Sequence, residues 1–253
     1  MGNLELQIRQ IQRDKYHSRW SPKILKDIAR VKAGEPLDYI IGWTPFLGCR
    51  IDLSAQPLIP RPETEFWTEK FIERVRHKPF AISHKPFRIL DAFAGSGCIG
   101  IAILKHLTHA RVDFADIDPR VLRGIKITAQ KNRIAPTRYS LIRSDVLKSV
   151  HGAYDAIVAN PPYIGAAERM QPSVMKYEPQ KALFGGRDGL RFIRALIKTA
   201  PQHLTANGAL WMEYGPSKKN AIKKMLEAHS YRNVQFHKDQ YGRWRYVTAQ
   251  RPE

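Results

Sequence analysis

From residue 87 onward, short apolar runs alternate with stretches of helical period. Segments 87–93, 112–117, 139–142, 154–159, 209–214, 234–237 and 244–248 are dominated by aliphatic and aromatic residues and read as strands. Apolar positions recur at helical spacing in 98–107, 120–131, 190–204 and 218–229, which predicts helices there. Strands alternating with helices of this length predict a parallel sheet covered on both faces. Only residues 238–243 separate the last two strands, too few for a crossover helix, so these two are expected to pair antiparallel. The expected fold is therefore α/β, a Rossmann-like seven-stranded sheet with an antiparallel last strand. Ahead of it, residues 1–33 are polar and helical in character, with Ile24, Leu25, Ile28 and Val31 on one face. Residues 34–65 are rich in Gly and Pro and read as a hairpin-containing connector, leaving 66–253 as the main domain.

Asn160-Pro161-Pro162-Tyr163 directly follows the fourth predicted strand. Asn offers an amide oxygen, the first proline's carbonyl offers a second acceptor, and two prolines hold the backbone rigid. An aromatic ring beside them can cover a planar group. The set suits a flat NH2-bearing substrate: a glutamine or asparagine amide, or the exocyclic amine of a base. Asn-Pro and Pro-Pro are also ordinary turn punctuation, so the motif alone leaves a plain turn open.

A glycine-rich loop, Asp91-Ala-Phe-Ala-Gly-Ser-Gly-Cys-Ile-Gly100, joins the first predicted strand to the first long helix. Glycines there let backbone approach a ligand. Asp116 closes the next strand, where a carboxylate can accept both hydroxyls of a ribose. Gly95-Ser-Gly-Cys-Ile-Gly100 formally satisfies G-x-G-x-x-G, so a nicotinamide or flavin reading has to be weighed. An acid ahead of the loop, Asp91, suits a cationic methionine moiety better than a pyrophosphate. Asp145 follows the third strand, placed either for an adenine amino group, with Val146 as apolar neighbour, or as a helix cap.

Charge changes the picture more than composition does. Lys and Arg number 42 against 23 Asp and Glu, a net charge of +19. Between Arg120 and Lys148 eight basic residues face one acid, Asp145. Such a field attracts RNA or an RNA-rich assembly, and a weak RNA or ribosome association is expected; a general solubility role fits the charge equally. Two cysteines, Cys49 and Cys98, predict no disulfide framework and a cytoplasmic protein. No apolar run is long enough for a membrane span, and no secretory signal is visible. The nine histidines show no ligand spacing, so no metal is expected.

With these residues in view, the chain resembles the HemK/PrmC family of protein-glutamine N5-methyltransferases that act on peptide-chain release factors. Besides Asn160 to Tyr163, the resemblance rests on Gly34 to Gly42, Phe46 to Gly48, and Leu58-Ile-Pro-Arg-Pro-Glu-Thr-Glu65. Tyr177 to Pro179, Ala182-Leu183, Gly185 to Leu190 and Glu213-Tyr-Gly215 extend it, and it covers roughly residues 30–248. It implies a class I S-adenosylmethionine-dependent methyltransferase whose substrate is the glutamine of a release factor's Gly-Gly-Gln motif. It also implies cofactor contacts from Phe93, Ala94, Gly95, Ser96, Gly97, Asp116, Val146 and Asn160. Asn160, Pro161 and Tyr163 would carry the catalysis, and Asn160, Pro161, Pro162 and Tyr163 would hold the glutamine. The Arg61/Glu63 segment would lie over the mouth of the site, with a connector salt bridge as its structural alternative.

Two departures stand out. Phe93 occupies the first glycine position of the loop, a variant shared with RNA-modifying relatives. The N-terminal helical region is about half the family's usual extent. Alternatives are a glutamine of a ribosomal protein, N6-adenine or N2-guanine methylation of RNA or DNA, and a non-catalytic RNA- or ribosome-binding module on the same fold.

Overall fold

The computed structural model describes residues 2–76 and 85–253. Three helices open it: α1 (Gly2–Tyr16), α2 (Lys23–Lys32) and α3 (Leu37–Ile41). Ile24 of α2 is buried, but Leu25 is 67 % exposed, so the expected apolar face is displaced by one position. Asp27 takes the buried place instead, where Lys15, Tyr16 and Arg30 all donate to its carboxylate. A hairpin follows, β1 (Trp43–Phe46) paired antiparallel with β2 (Cys49–Asp52). Helix α4 (Pro62–Arg76) starts inside the expected connector, with proline at its first position and acids Glu63 and Glu65 in its first turn.

The main sheet then alternates strand and helix. Its first part runs β3 (Phe87–Ala92), α5 (Cys98–His106), β4 (Ala110–Asp116), α6 (Pro119–Lys131), β5 (Tyr139–Arg143) and β6 (Tyr154–Ala159). The chain continues through α7 (Pro172–Tyr177), α8 (Arg191–Thr199), β7 (Leu204–Glu213), α9 (Lys219–Ala228), β8 (Arg232–Lys238) and β9 (Trp244–Gln250). Strand order is β5-β4-β3-β6-β7-β9-β8, parallel throughout except where β9 pairs antiparallel with both β7 and β8. This is the sheet expected from the pattern of runs. The predicted helix 190–204 ends early, at Thr199, and passes into a 3-10 turn over Ala200–His203. Pro201 lacks the N–H that another α-helical turn would need.

Strands β3 and β6 are buried on both faces, as their near-continuous apolar runs require. One face packs on α4, α5 and α6 through Trp67, Phe71, Ile101, Leu104, Phe114 and Ile125. The other packs on α8 and α9 through Ile193, Leu196, Ile197, Ile222 and Leu226. The hairpin is tied to α6: Asn132 accepts from Arg50 N–H at 3.0 Å and donates to the Arg50 carbonyl at 2.9 Å. Thr128 Oγ1 accepts from Asp52 N–H at 3.1 Å. The connector is thereby held against the end of the sheet where the loops after β3, β4 and β6 converge.

Candidate active site

At the C-terminal ends of β3, β4 and β6 lies a cavity of about 610 Å³. In an open α/β sheet, ligands bind in such a crevice, where the chain leaves neighbouring strands in opposite directions. Its walls bring together residues far apart in sequence: Phe93 to Ser96, Asp116, Asp145, Val146, Asn160 and Pro162. The connector closes another side with residues 55–61 and Thr64, and Lys181, Arg191 and Phe192 complete the lining.

The loop after β3 is shaped for close approach. Gly97 caps α5 with φ +75°, and a β-carbon there would sit 2.8 Å from Ile125 Cγ1. Gly95 N–H donates to Asp116 Oδ2 at 2.9 Å, while Asp116 Oδ1 accepts from Asp118 N–H at 2.9 Å. Each carboxylate oxygen keeps a lone pair beyond its backbone donor, and Asp116 lines the cavity. Burial raises the Asp116 pKa, and the backbone donors oppose that shift. Asp91 is fully buried and outside the cavity lining; its Oδ2 accepts from Gly100 N–H at 2.9 Å and its Oδ1 has no partner. Its carboxylate therefore braces the start of α5, which the sequence did not disclose.

Phe93 and Val146 both line the cavity with positive φ, +58° and +54°. For a β-branched valine this is a costly backbone state, on the order of 1–3 kcal/mol, and such strain gathers at binding sites. The ring of Phe93 meets that of Phe192 edge-on, with centroids 5.8 Å apart.

Asp145 lines the cavity, but its carboxylate pairs with Lys148. Residues 145–149 form turns rather than a helix, so there is no helix for it to cap. Arg61 also lines the cavity, and its partner is not Glu63 but Glu178, at 2.6 Å. Glu178 is buried and accepts from Ile59 N–H at 3.2 Å as well, so this pair joins the connector to the segment after α7. Glu63 instead faces Arg245, 3.7 Å away.

Within the Asn-Pro-Pro-Tyr segment, Asn160 and Pro162 line the cavity, and Pro161 and Tyr163 do not. The Tyr163 hydroxyl donates to Glu213 Oε1 at 3.2 Å. Glu213 ends β7 and is 1 % exposed; its Oε2 accepts from Thr64 Oγ1 at 2.7 Å and from Trp67 Nε1 at 2.8 Å. Burial raises its pKa, against the pull of these donors. Thr64 Oγ1 in turn accepts from Asn160 Nδ2 at 3.3 Å. The segment is also held from outside: Ile164 N–H donates to the Leu183 carbonyl and Gly185 N–H to the Ile164 carbonyl, each at 2.9 Å. Thr64, Trp67 and Phe192 were missed as site residues. The one available signal was Glu213, a lone acid inside a strand otherwise apolar at its buried end.

The residues present fit S-adenosylmethionine: a carboxylate on the cavity wall for a diol, glycine backbone beside it, apolar Val121 and Val146, and a volume ordinary for a cofactor of this size. A model of the methyltransferase small domain matches residues 72–176. The release factor glutamine methyltransferase of Lactococcus lactis is 32 % identical over 231 residues, covering 90 % of this chain and 82 % of that protein. Among solved structures, a methyltransferase from Pyrococcus furiosus aligns with TM-score 0.58 at 18 % identity, over 91 % of this chain and 97 % of its own. A T. thermophilus 16S rRNA N2 methyltransferase in complex with AdoMet and guanosine aligns with TM-score 0.58 at 17 % identity, over 83 % of this chain and 49 % of its own. These two likenesses show the class I methyltransferase fold, and the sequence relationship is the finer guide. The chain belongs to the release factor glutamine methyltransferase family.

Proposed function

We propose that this enzyme transfers a methyl group to the side-chain amide N5 of the glutamine in the Gly-Gly-Gln motif of peptide-chain release factors, and that Asn160 is the residue that receives that amide. Family membership supports the substrate. The observation that carries the site is the position of Asn160: it lines the same cavity as the Phe93–Ser96 loop and Asp116. S-adenosylmethionine, when bound, supplies a methyl carbon on a sulfonium that leaves as a neutral thioether. Asp116 would take the ribose hydroxyls, Ala94 to Ser96 would present backbone to the methionine end, with Gly97 shaping the loop from outside the lining, and Asp145 and Val146 would flank the adenine.

An amide nitrogen is a weak nucleophile, so the protein's task is alignment and charge stabilisation. Asn160 Oδ1 accepts from the glutamine amide; the Pro161 carbonyl, the second acceptor expected from the sequence, stands outside the cavity lining. Acceptance at Asn160 stabilises the positive charge that grows on nitrogen during attack. Fixed orientation of nitrogen against the methyl carbon is worth several kcal/mol, toward the roughly 7–11 of well-oriented intramolecular systems. No general base is needed before transfer, since the nitrogen's proton becomes acidic only afterwards. Tyr163 serves through its hydroxyl on Glu213 rather than as a lid on the amide.

Residues 1–33 and the connector 34–65 are read as the parts that present the substrate to the domain 66–253. The basic surface between Arg120 and Lys148 is read as favouring weak RNA or ribosome contact. No helix among the described residues is long and apolar enough to cross a membrane. A cytoplasmic enzyme of translation is the setting this reading supports. Asn160→Ala tests the site. Transfer is expected to fall by about 100- to 1,000-fold with circular dichroism unchanged; near wild-type turnover would sink the assignment.

A further inference from the structure

We propose that Thr64 is a positioning residue that determines which end of the Asn160 amide faces the substrate, with its own hydroxyl direction set by Glu213. This deepens the reading above and rests on it. Nothing in the Asn-Pro-Pro-Tyr segment itself settles how the amide is turned, and the two ends do opposite things. An oxygen accepts the N–H bonds of a glutamine amide, whereas an NH2 group repels them.

Donor-only groups fix every hydrogen in the surrounding network. The Trp67 indole can only donate, and it donates to Glu213 Oε2 at 2.8 Å. The Arg245 guanidinium can only donate, and it reaches the Tyr163 hydroxyl oxygen at 3.5 Å. Tyr163 therefore turns its own hydrogen toward Glu213 Oε1, 3.2 Å away. With Glu213 ionised, both of its oxygens are acceptors. The Thr64 hydroxyl, 2.7 Å from Oε2, must spend its single hydrogen there. Toward Asn160 it has only lone pairs to offer, so it selects the NH2 end of the amide, at 3.3 Å. Oδ1 is left as the acceptor for the substrate. Thr64, Trp67 and Glu213 are all buried, which limits competition from water along the relay. The relay joins the start of α4 to the end of β7 and gives the connector a direct part in the chemistry.

Methyl transfer from labelled S-adenosylmethionine to a purified release factor, in single turnover, compares wild type with Thr64→Val, Thr64→Ser and Glu213→Gln. Valine keeps the shape and removes the hydroxyl. We expect transfer to drop about 10- to 100-fold, while the cofactor dissociation constant and the KM for the factor stay within about threefold. Serine restores the relay and is expected to return to within about fivefold of wild type. Glutamine at 213 still offers an oxygen to Thr64, because Trp67 rejects an NH2 group at that side, so it is expected to lose less than Thr64→Val. Thr64→Val at wild-type rate would overturn the proposal. So would Thr64→Ser as impaired as valine, or Glu213→Gln more impaired than Thr64→Val. A wild type inert toward the factor would instead reject the substrate reading.

Discussion

The Pro162 carbonyl oxygen stands 2.5 Å from where a β-carbon on Gly185 would be placed. The carbonyl is backbone and a β-carbon is fixed in place by the backbone that bears it, so neither can swing aside. The loop that contains Gly185 is thus fitted against the Asn-Pro-Pro-Tyr segment, and a bare α-carbon is what allows the fit. The same glycine donates its N–H to the Ile164 carbonyl at 2.9 Å, which holds the segment from its other end.

Gly185→Ala is therefore expected to push Pro162 and its neighbours out of register. Overpacking of this kind costs about 1–3 kcal/mol, read as a lower thermal midpoint. Transfer is expected to fall further than stability alone explains, by about tenfold or more, because misplacement by about an ångström is costly in a reaction that depends on alignment. An alanine variant with unchanged midpoint and turnover would show that the close approach is not a constraint.

Asp116 sits on the cavity wall with both oxygens already engaged by backbone N–H groups of Gly95 and Asp118. Asp116→Ala removes the proposed ribose acceptor and one brace of the glycine loop together. Hydrogen bonds to a charged group contribute about 1.5–3 kcal/mol, so the cofactor is expected to bind about 10- to 100-fold more weakly. Titration calorimetry measures this directly. An unchanged dissociation constant would reject the ribose assignment.

Asp91 gives a pH signature. Burial holds its pKa well above the ordinary carboxylate value, and the Gly100 N–H only partly offsets this. The folded protein then binds a proton at this position more tightly than the unfolded chain does. Its contribution is most favourable below the unfolded value, about 4, and is lost as pH rises through the folded value. Asp116 and Glu213, also raised by burial, act in the same direction. Asp91→Asn, which cannot titrate, is expected to flatten the fall in stability with rising pH seen in denaturant titrations of the wild type. Parallel pH profiles for the two proteins would contradict it.

Much of the sheet was legible because its central strands, β3 and β6, bury both faces and so carry nearly unbroken apolar runs. Strand β6 (Tyr154–Ala159) matches its predicted bounds at both ends. Candidate chemistry was legible where a short local motif marks it, as at Gly95, Asp116 and Asn160, which the fold gathers into one cavity. Helix α4 was hidden because its opening Pro-Glu-Thr-Glu also reads as connector, although proline at a first helical position is favourable. Asp27 was hidden because its partners Lys15 and Tyr16 lie on another helix. The Thr64–Glu213 contact spans 149 residues, and no periodicity in the chain encodes it. Strain at Val146 is likewise a property of the folded loop, not of a valine in a sequence.

Label transfer identifies the methyl acceptor most directly. The enzyme is incubated with radiolabelled S-adenosylmethionine and either a purified release factor or a copy whose Gly-Gly-Gln glutamine is changed to alanine. Ribosomal proteins and total RNA are run in parallel. Label on the unaltered factor alone is the predicted result. Label on RNA or on a ribosomal protein, with the factor unlabelled, would contradict the assignment and make the basic surface and Phe93 the better guides to substrate.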